Sequence, residues 1–307
     1  MRNAFVRALV ELADTDEGVV LLTGDLGFTV LEPFIERHSG RFFNMGVAEQ
    51  NMVGVATGLA SCGLTPFTYS IATFASMRPY EFIRNGPVAH ELPVRIVGVG
   101  GGVDYGINGA SHHALEDIAL MRTQPGLAVL APADAEQTRA AVMSLGDLDG
   151  PAYLRLGKSG ESIPGLGGRF RLGRLELIGH GADLAIVTYG SLAREALAAK
   201  CVLAREGIET TVAVAASLSP APRDDLAELL GAVPLVITLE SHYATGGVGS
   251  LVAELAAEGG FGCRVLRRGI EHMPRGDAGS PEYLLERHGL DARSVAKVAQ
   301  LGLETAR

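Results

Sequence analysis

The chain has 307 residues, 47% of them hydrophobic, and a formal net charge of −9. That length suggests two domains of roughly 100–200 residues each, with enough apolar material for real cores. The acidic balance argues against a general nucleic-acid binder, which carries a basic face. The sequence has no run of about 18 apolar residues, which argues against a membrane span. The amino-terminal stretch is interrupted by acids and has no signal-peptide core. The three cysteines, Cys62, Cys201 and Cys263, are far apart and odd in number. They fit reduced, intracellular thiols, so a cytoplasmic location is expected.

Short apolar runs then alternate with amphipathic stretches. Residues 2–13 read as a helix with Phe5, Val6, Leu9 and Leu12 on one side. Strands are predicted at 18–25 and 41–45, then a helix at 48–61. Strand 65–69, helix 75–89, strand 93–100, helix 114–122, strand 127–132, helix 134–145 and strand 151–157 follow. The Gly/Ser/Pro-rich stretch 158–169 breaks the rhythm and reads as a linker. It divides the chain into domains 1–165 and 166–307. The second has predicted strands at 183–190, 209–216, 234–241 and 261–269, with helices at 191–206, 222–230 and 247–258. The fold class is α/β: two α/β domains, each with a mostly parallel central sheet covered by helices. Ligands of such sheets sit beyond the carboxyl ends of the strands. That rule selects the loops 24–30, 44–49, 69–78, 98–113 and 155–160.

Those loops hold the residues that can do chemistry. Glu49 opens a helix of small residues in the run FFNMGVAEQNMVGVATGLASCG. It is either a first-turn carboxylate favoured by the helix dipole, or an acid in an apolar interface that shares a proton with a bound base. Phe74, Tyr69 and Tyr80 flank a strand-to-helix turn; they are core packing or a stacking platform for a flat ring. The glycine-rich run GVGGGVDYGINGASHHALED could cradle a phosphate, but it lacks the G-x-G-x-x-G spacing of a dinucleotide site. Its paired His112 and His113 are candidates for proton transfer. Lys158 and Arg155 end the next strand, where Lys158 suits an anion and Arg155 either does the same or packs.

Together these stretches resemble the carboxyl-terminal half of transketolases, in the wider thiamine-diphosphate family. That family includes deoxyxylulose-phosphate synthase and the β chains of pyruvate dehydrogenase. The likeness runs through GDLG at 24–27, RFFNMGVAEQNMVGVATGLA at 41–60, ATFASMRPYEFIRN at 72–85, GASHHALEDIALMR at 109–122, GLAVLAPADAEQTRAAV at 126–142, GPAYLRLGKSG at 150–160 and ESHYATGGVGSLVAEL at 240–255. The resemblance implies that Glu49 bonds N1′ of the cofactor's aminopyrimidine and drives its 4′-amino group toward the imino form. It implies that Phe74 stacks on that ring, that Tyr69 is a second wall, and that Met45 and Gly46 border it. His112 matches a histidine that contacts the sugar, with His113 beside it. Asn108, Lys158 and Arg155 fall at substrate-binding positions.

Three departures qualify the match. Asn108 stands where relatives usually carry Asp, so it can hydrogen-bond a hydroxyl but brings no charge. Lys158 replaces a frequent arginine, a point charge for a bidentate fork. The family's G-D-G motif with a downstream Asn, which holds the diphosphate through Mg²⁺, is missing; GDL at 24–26 and GDLDG at 146–150 lack that context. The chain is therefore expected to be half an enzyme. Its thiamine diphosphate would lie against an amino-terminal transketolase-like subunit that ligates the Mg²⁺, in an α2β2 assembly acting on a sugar or sugar phosphate. No metal ligand is expected in this chain. Alternatives are a β-type subunit of an α-keto-acid dehydrogenase, a deoxyxylulose-phosphate-synthase-like enzyme, and a regulatory subunit that kept the fold.

Overall fold

The runs read as buried strands are buried along their whole length: β1 (Val19–Thr23), β4 (Arg95–Val99) and β6 (Ala152–Leu156) hide all five residues each. Continuous burial of this kind belongs to parallel sheets covered on both faces. The computed structural model describes residues 1–305. Its first sheet also contains β2 (Phe42–Asn44), β3 (Thr65–Ile71) and β5 (Ala128–Leu130). The second half contributes β7 (Glu176–Ile178), β8 (Leu184–Thr188), β9 (Thr210–Val214), β10 (Ser217–Ser219), β11 (Leu235–Tyr243) and β12 (Arg264–Ile270).

The strand order is β10-β5-β6-β4-β3-β1-β2 in one sheet and β12-β11-β8-β9-β7 in the other. Each is parallel except at one edge, where β10 runs antiparallel to β5 and β7 antiparallel to β9. The two sheets are not divided cleanly along the chain. β10 comes from the second half yet closes the first sheet, pairing Ser217 with Leu130. One core cluster likewise joins Ile118, Val129 and Tyr153 to Tyr189, Ala213, Leu218 and Leu226.

The helix Arg2–Thr15 buries Phe5, Val6, Leu9 and Leu12, the side picked out by periodicity. The stretch read as one helix over 75–89 starts earlier and is broken. It forms Ala72–Met77, Tyr80–Ile83 and a π-type turn Arg84–Val88. Pro79 and Pro87 each lack the N–H that a continuous helix needs. Two carboxyl-terminal helices, Pro281–Arg287 and Ala292–Glu304, were not foreseen. Both carry sequence signatures: Ser280 accepts from Tyr283 N–H, and Asp291 accepts from Arg293 and Ser294 N–H as N-caps.

Candidate active site

Parallel strands of the first sheet all deliver their carboxyl ends to one edge, and Glu49 sits there as the first residue of the helix Glu49–Ser61. The turn before it is held by side chain and backbone. Asn44 Nδ2 donates to Asp25 Oδ1 at 2.8 Å, and Gly46 N–H donates to Asn44 Oδ1 at 3.0 Å. Met45 N–H donates to Thr23 O at 2.9 Å. Gly46 takes φ +68°, a left-handed conformation that suits glycine. Met45 and Gly46 thus lead directly into Glu49. Glu49 as a whole residue is 2% exposed. Its Oε1 accepts from Ser70 Oγ at 2.9 Å, and its Oε2 pairs with Arg78 Nη1 at 2.8 Å. Gly24 lies against it, so that a Cβ there would be in contact, 3.4 Å from both Glu49 Oε1 and Ser70 Oγ.

A row of flat side chains leads away from this carboxylate. The Arg78 guanidinium carbon lies 3.9 Å from the centre of the Phe74 ring. The His112 ring meets Phe74 edge-on, with centroids 5.2 Å apart and an interplanar angle of 66°. Tyr105 follows at 6.3 Å from His112, and the Lys158 ammonium lies 4.5 Å from the Tyr105 ring centre. Lys158 is held at its backbone, where its N–H donates to Asp104 Oδ2 at 2.8 Å. Burial pushes the Asp104 carboxyl up from its ordinary pKa, against the pull of that hydrogen bond and of Arg155 and Lys158. Tyr105, Asn108 and Lys158 line a cavity of about 360 Å³ that is also lined by Ser191, Arg194 and Pro281 of the second half. The arrangement runs from a buried acid, past an aromatic face and an imidazole, to a cation in a cleft.

Residues 1–160 match the family description "Transketolase, pyrimidine binding domain", and residues 173–295 match "Transketolase, C-terminal domain". The chain belongs to the transketolase family. It is 34% identical over 302 residues to a 6-deoxy-6-sulfo-D-fructose transketolase subunit of a Clostridium species, covering 97% of this chain and 93% of that one. It is 32% identical over 303 residues to an apulose-4-phosphate transketolase subunit of Phocaeicola vulgatus, covering 97% and 96%. A solved structure described as a split gene transketolase, inactive beta4 tetramer, superposes with a TM-score of 0.89 at 40% identity, over 100% of this chain and 98% of that one. The chain is thus the counterpart of the carboxyl-terminal subunit of split transketolases.

Membership in the transketolase family implies dependence on thiamine diphosphate. The residues present fit its pyrimidine half, since a buried carboxylate lies beside an aromatic face at the strand ends. Phe74 and His112 both stand in that setting, their rings in edge-on contact. Three other residues do not. Tyr69 is no wall of this site. Neighbouring strand residues point to opposite faces, so Ser70 reaches Glu49 while Tyr69 goes under the sheet. There it stacks on Phe5 with centroids 5.6 Å apart. His113 is turned inward, 3% exposed, with burial lowering its pKa and with His288 and Asp277 among its charged neighbours. Arg155 is spent at the junction of the two halves. Its Nε lies 3.0 Å from Asp117 Oδ2, and its Nη2 donates to Ala114 O and Ser241 O. Sequence reasoning missed Ser70, Arg78 and Tyr105. Arg78 had a readable signal, because it stands one helical turn after Phe74.

Proposed function

We propose that this transketolase subunit works with an amino-terminal partner to move a two-carbon ketol unit from a ketose to an aldehyde acceptor, with Glu49 as the catalytic carboxylate. The observation that carries the reading is the 2%-exposed Glu49 at the strand ends, with Ser70 on one oxygen and Arg78, stacked on Phe74, on the other. When bound, thiamine diphosphate supplies the electron sink for carbon–carbon cleavage. Glu49 holds and shares the proton at N1′ of its aminopyrimidine. Ser70 fixes the carboxylate's orientation by occupying Oε1. Phe74 offers the stacking face, and His112 hydrogen-bonds a substrate hydroxyl. Met45 and Gly46 shape the approach to Glu49.

Lys158 and Asn108 are assigned to the distal end of the substrate, in the cleft between the halves. Both relatives above are named for anionic sugars, a sulfonate and a phosphate. The ammonium of Lys158 supports the same class here. The partner is assigned the Mg²⁺ and the diphosphate, because Gly24-Asp25-Leu26 departs from the motif that would hold them. Exposed Val47, Val55, Met77 and Phe82 around the Glu49 helix support burial of this face in an α2β2 assembly. The test is calorimetric titration of thiamine diphosphate with Mg²⁺. Saturable binding is expected for the chain co-purified with its partner, followed by turnover of a ketose phosphate. Absence of binding in that complex would overturn the reading.

A further inference from the structure

Arg78 has no part in the chemistry above, yet it holds the best position in the site. It follows the helix Ala72–Met77 directly, and its side chain is 43% exposed while that of Glu49 is 1% exposed. It reaches in from the solvent side and takes the one carboxylate oxygen that Ser70 leaves, Oε2, at 2.8 Å. At the same time its guanidinium carbon lies 3.9 Å from the centre of the Phe74 ring. A guanidinium is planar, delocalised and rich in N–H donors, and it stacks on aromatic faces. An aminopyrimidine is also planar and nitrogen-rich. The two contacts of Arg78, a ring face of Phe74 and an oxygen of Glu49, are the two that the proposed function assigns to the cofactor's ring.

We propose that Arg78 is a placeholder: in the cofactor-free subunit its guanidinium stands in for the aminopyrimidine, and the cofactor must displace it to reach Glu49 and Phe74. This rests on the assignment of Glu49 and Phe74 to the pyrimidine. The physical need is clear, because a carboxylate buried without a partner is costly. Arg78 supplies that partner when the cofactor is absent. The Arg78 side chain is itself 43% exposed in the isolated chain, so it is not locked in place by packing as Glu49 is. Cofactor affinity is then the difference between two occupants of one place, not the strength of one contact.

The test measures two quantities on Arg78→Ala and Arg78→Lys: the thermal stability of the cofactor-free chain, and the calorimetric Kd of thiamine diphosphate with Mg²⁺ in the complex with the partner. Removing a partly exposed ion pair and a cation–π contact from the cofactor-free state should tighten cofactor binding by about fivefold in Arg78→Ala. Arg78→Lys keeps the charge but not the planar stack, and should fall between it and the native protein. The cofactor-free Arg78→Ala chain should melt lower. A merely structural role would lower stability and weaken cofactor binding together. Unchanged or weaker binding in both variants, in a complex whose native form binds and whose Glu49→Gln form does not, would overturn the placeholder and leave the site assignment standing. Failure of the native complex to bind would overturn both.

Discussion

Ser70 and Tyr69 are adjacent, and only one of them touches Glu49. Strand β3 was legible, and so was its parity, because Phe67, Tyr69 and Ile71 alternate with Thr68 and Ser70; what the pattern does not show is which of the two faces carries the site. Ser70 reveals it by donating to Glu49, and Tyr69 by stacking on Phe5. Glu49→Gln keeps the shape and the bond from Ser70 but removes the exchangeable carboxyl proton. Turnover of the assembled enzyme should fall by about a hundredfold or more, with the melting temperature little changed. Near-normal turnover would remove Glu49 from the catalytic role. Lys158→Ala should act differently. It should raise KM for a phosphate- or sulfonate-bearing sugar by about tenfold and leave kcat nearly intact, as loss of uniform binding does. An equal loss on an uncharged ketose would contradict its placement at the anionic end. Arg155 teaches the opposite lesson. An arginine in the middle of the fully buried strand PAYLRLG is a residue that needs an internal partner, and Asp117 is that partner.

The element that positions Phe74 is the short helix Ala72–Met77, and it packs directly against β4. Gly98 allows this. A Cβ at residue 98 would lie 3.0 Å from Ala72 Cα and 2.5 Å from Tyr153 Oη. The first is backbone and the second is fixed, since Tyr153 Oη donates to Asp117 Oδ2 at 2.7 Å. Gly98→Ala should therefore destabilise the chain by about 1–3 kcal/mol through overpacking, readable by denaturant titration. It should also weaken cofactor binding by moving the helix that carries Phe74. Stability equal to native would mean that the helix yields freely. From sequence, GVGGGV reads first as a phosphate cradle. Its first glycine instead lets a helix approach a strand, a demand set by tertiary packing that no local pattern shows. The Glu49 helix, by contrast, was legible to within a residue, because its apolar periodicity and the turn before it agree.

The two halves meet over buried ionisable groups, and these contribute opposing pH dependences to the stability of the whole molecule. Glu240 accepts from Val248 and Gly249 N–H, both at 2.9 Å, at the start of the helix Val248–Gly259. Burial nevertheless pushes its pKa from 4.5 up to about 7. His242 donates from Nδ1 to Tyr243 O and accepts at Nε2 from Ala119 N–H, which fixes a neutral ring. Burial brings its pKa from 6.5 down to about 4. Glu240 contributes stability that is fully present below about 4.5 and is lost as pH rises toward 7. His242 contributes stability that is present above about 6.5 and is lost as pH falls toward 4. The windows overlap and the slopes oppose, each at most about 1.4 kcal/mol per pH unit. The contributions of these two groups should thus largely cancel between about pH 5 and 6.5. Relative to the native chain, Glu240→Gln should gain stability as pH rises, and His242→Asn should lose it. The same pH profile in all three proteins would show that neither group titrates on folding.

The strand β10 changes what the linker means. Sequence marks the interval after β6 as a natural seam, yet Ser217–Ser219 reaches back across it and seals the edge of β5. A genetic exchange made at that seam would give the first half a foreign neighbour and take away its own border strand. The row of free backbone groups left on β5 would then be a template for pairing with other molecules. Heredity can therefore pass this subunit on, or trade it, only as a single piece.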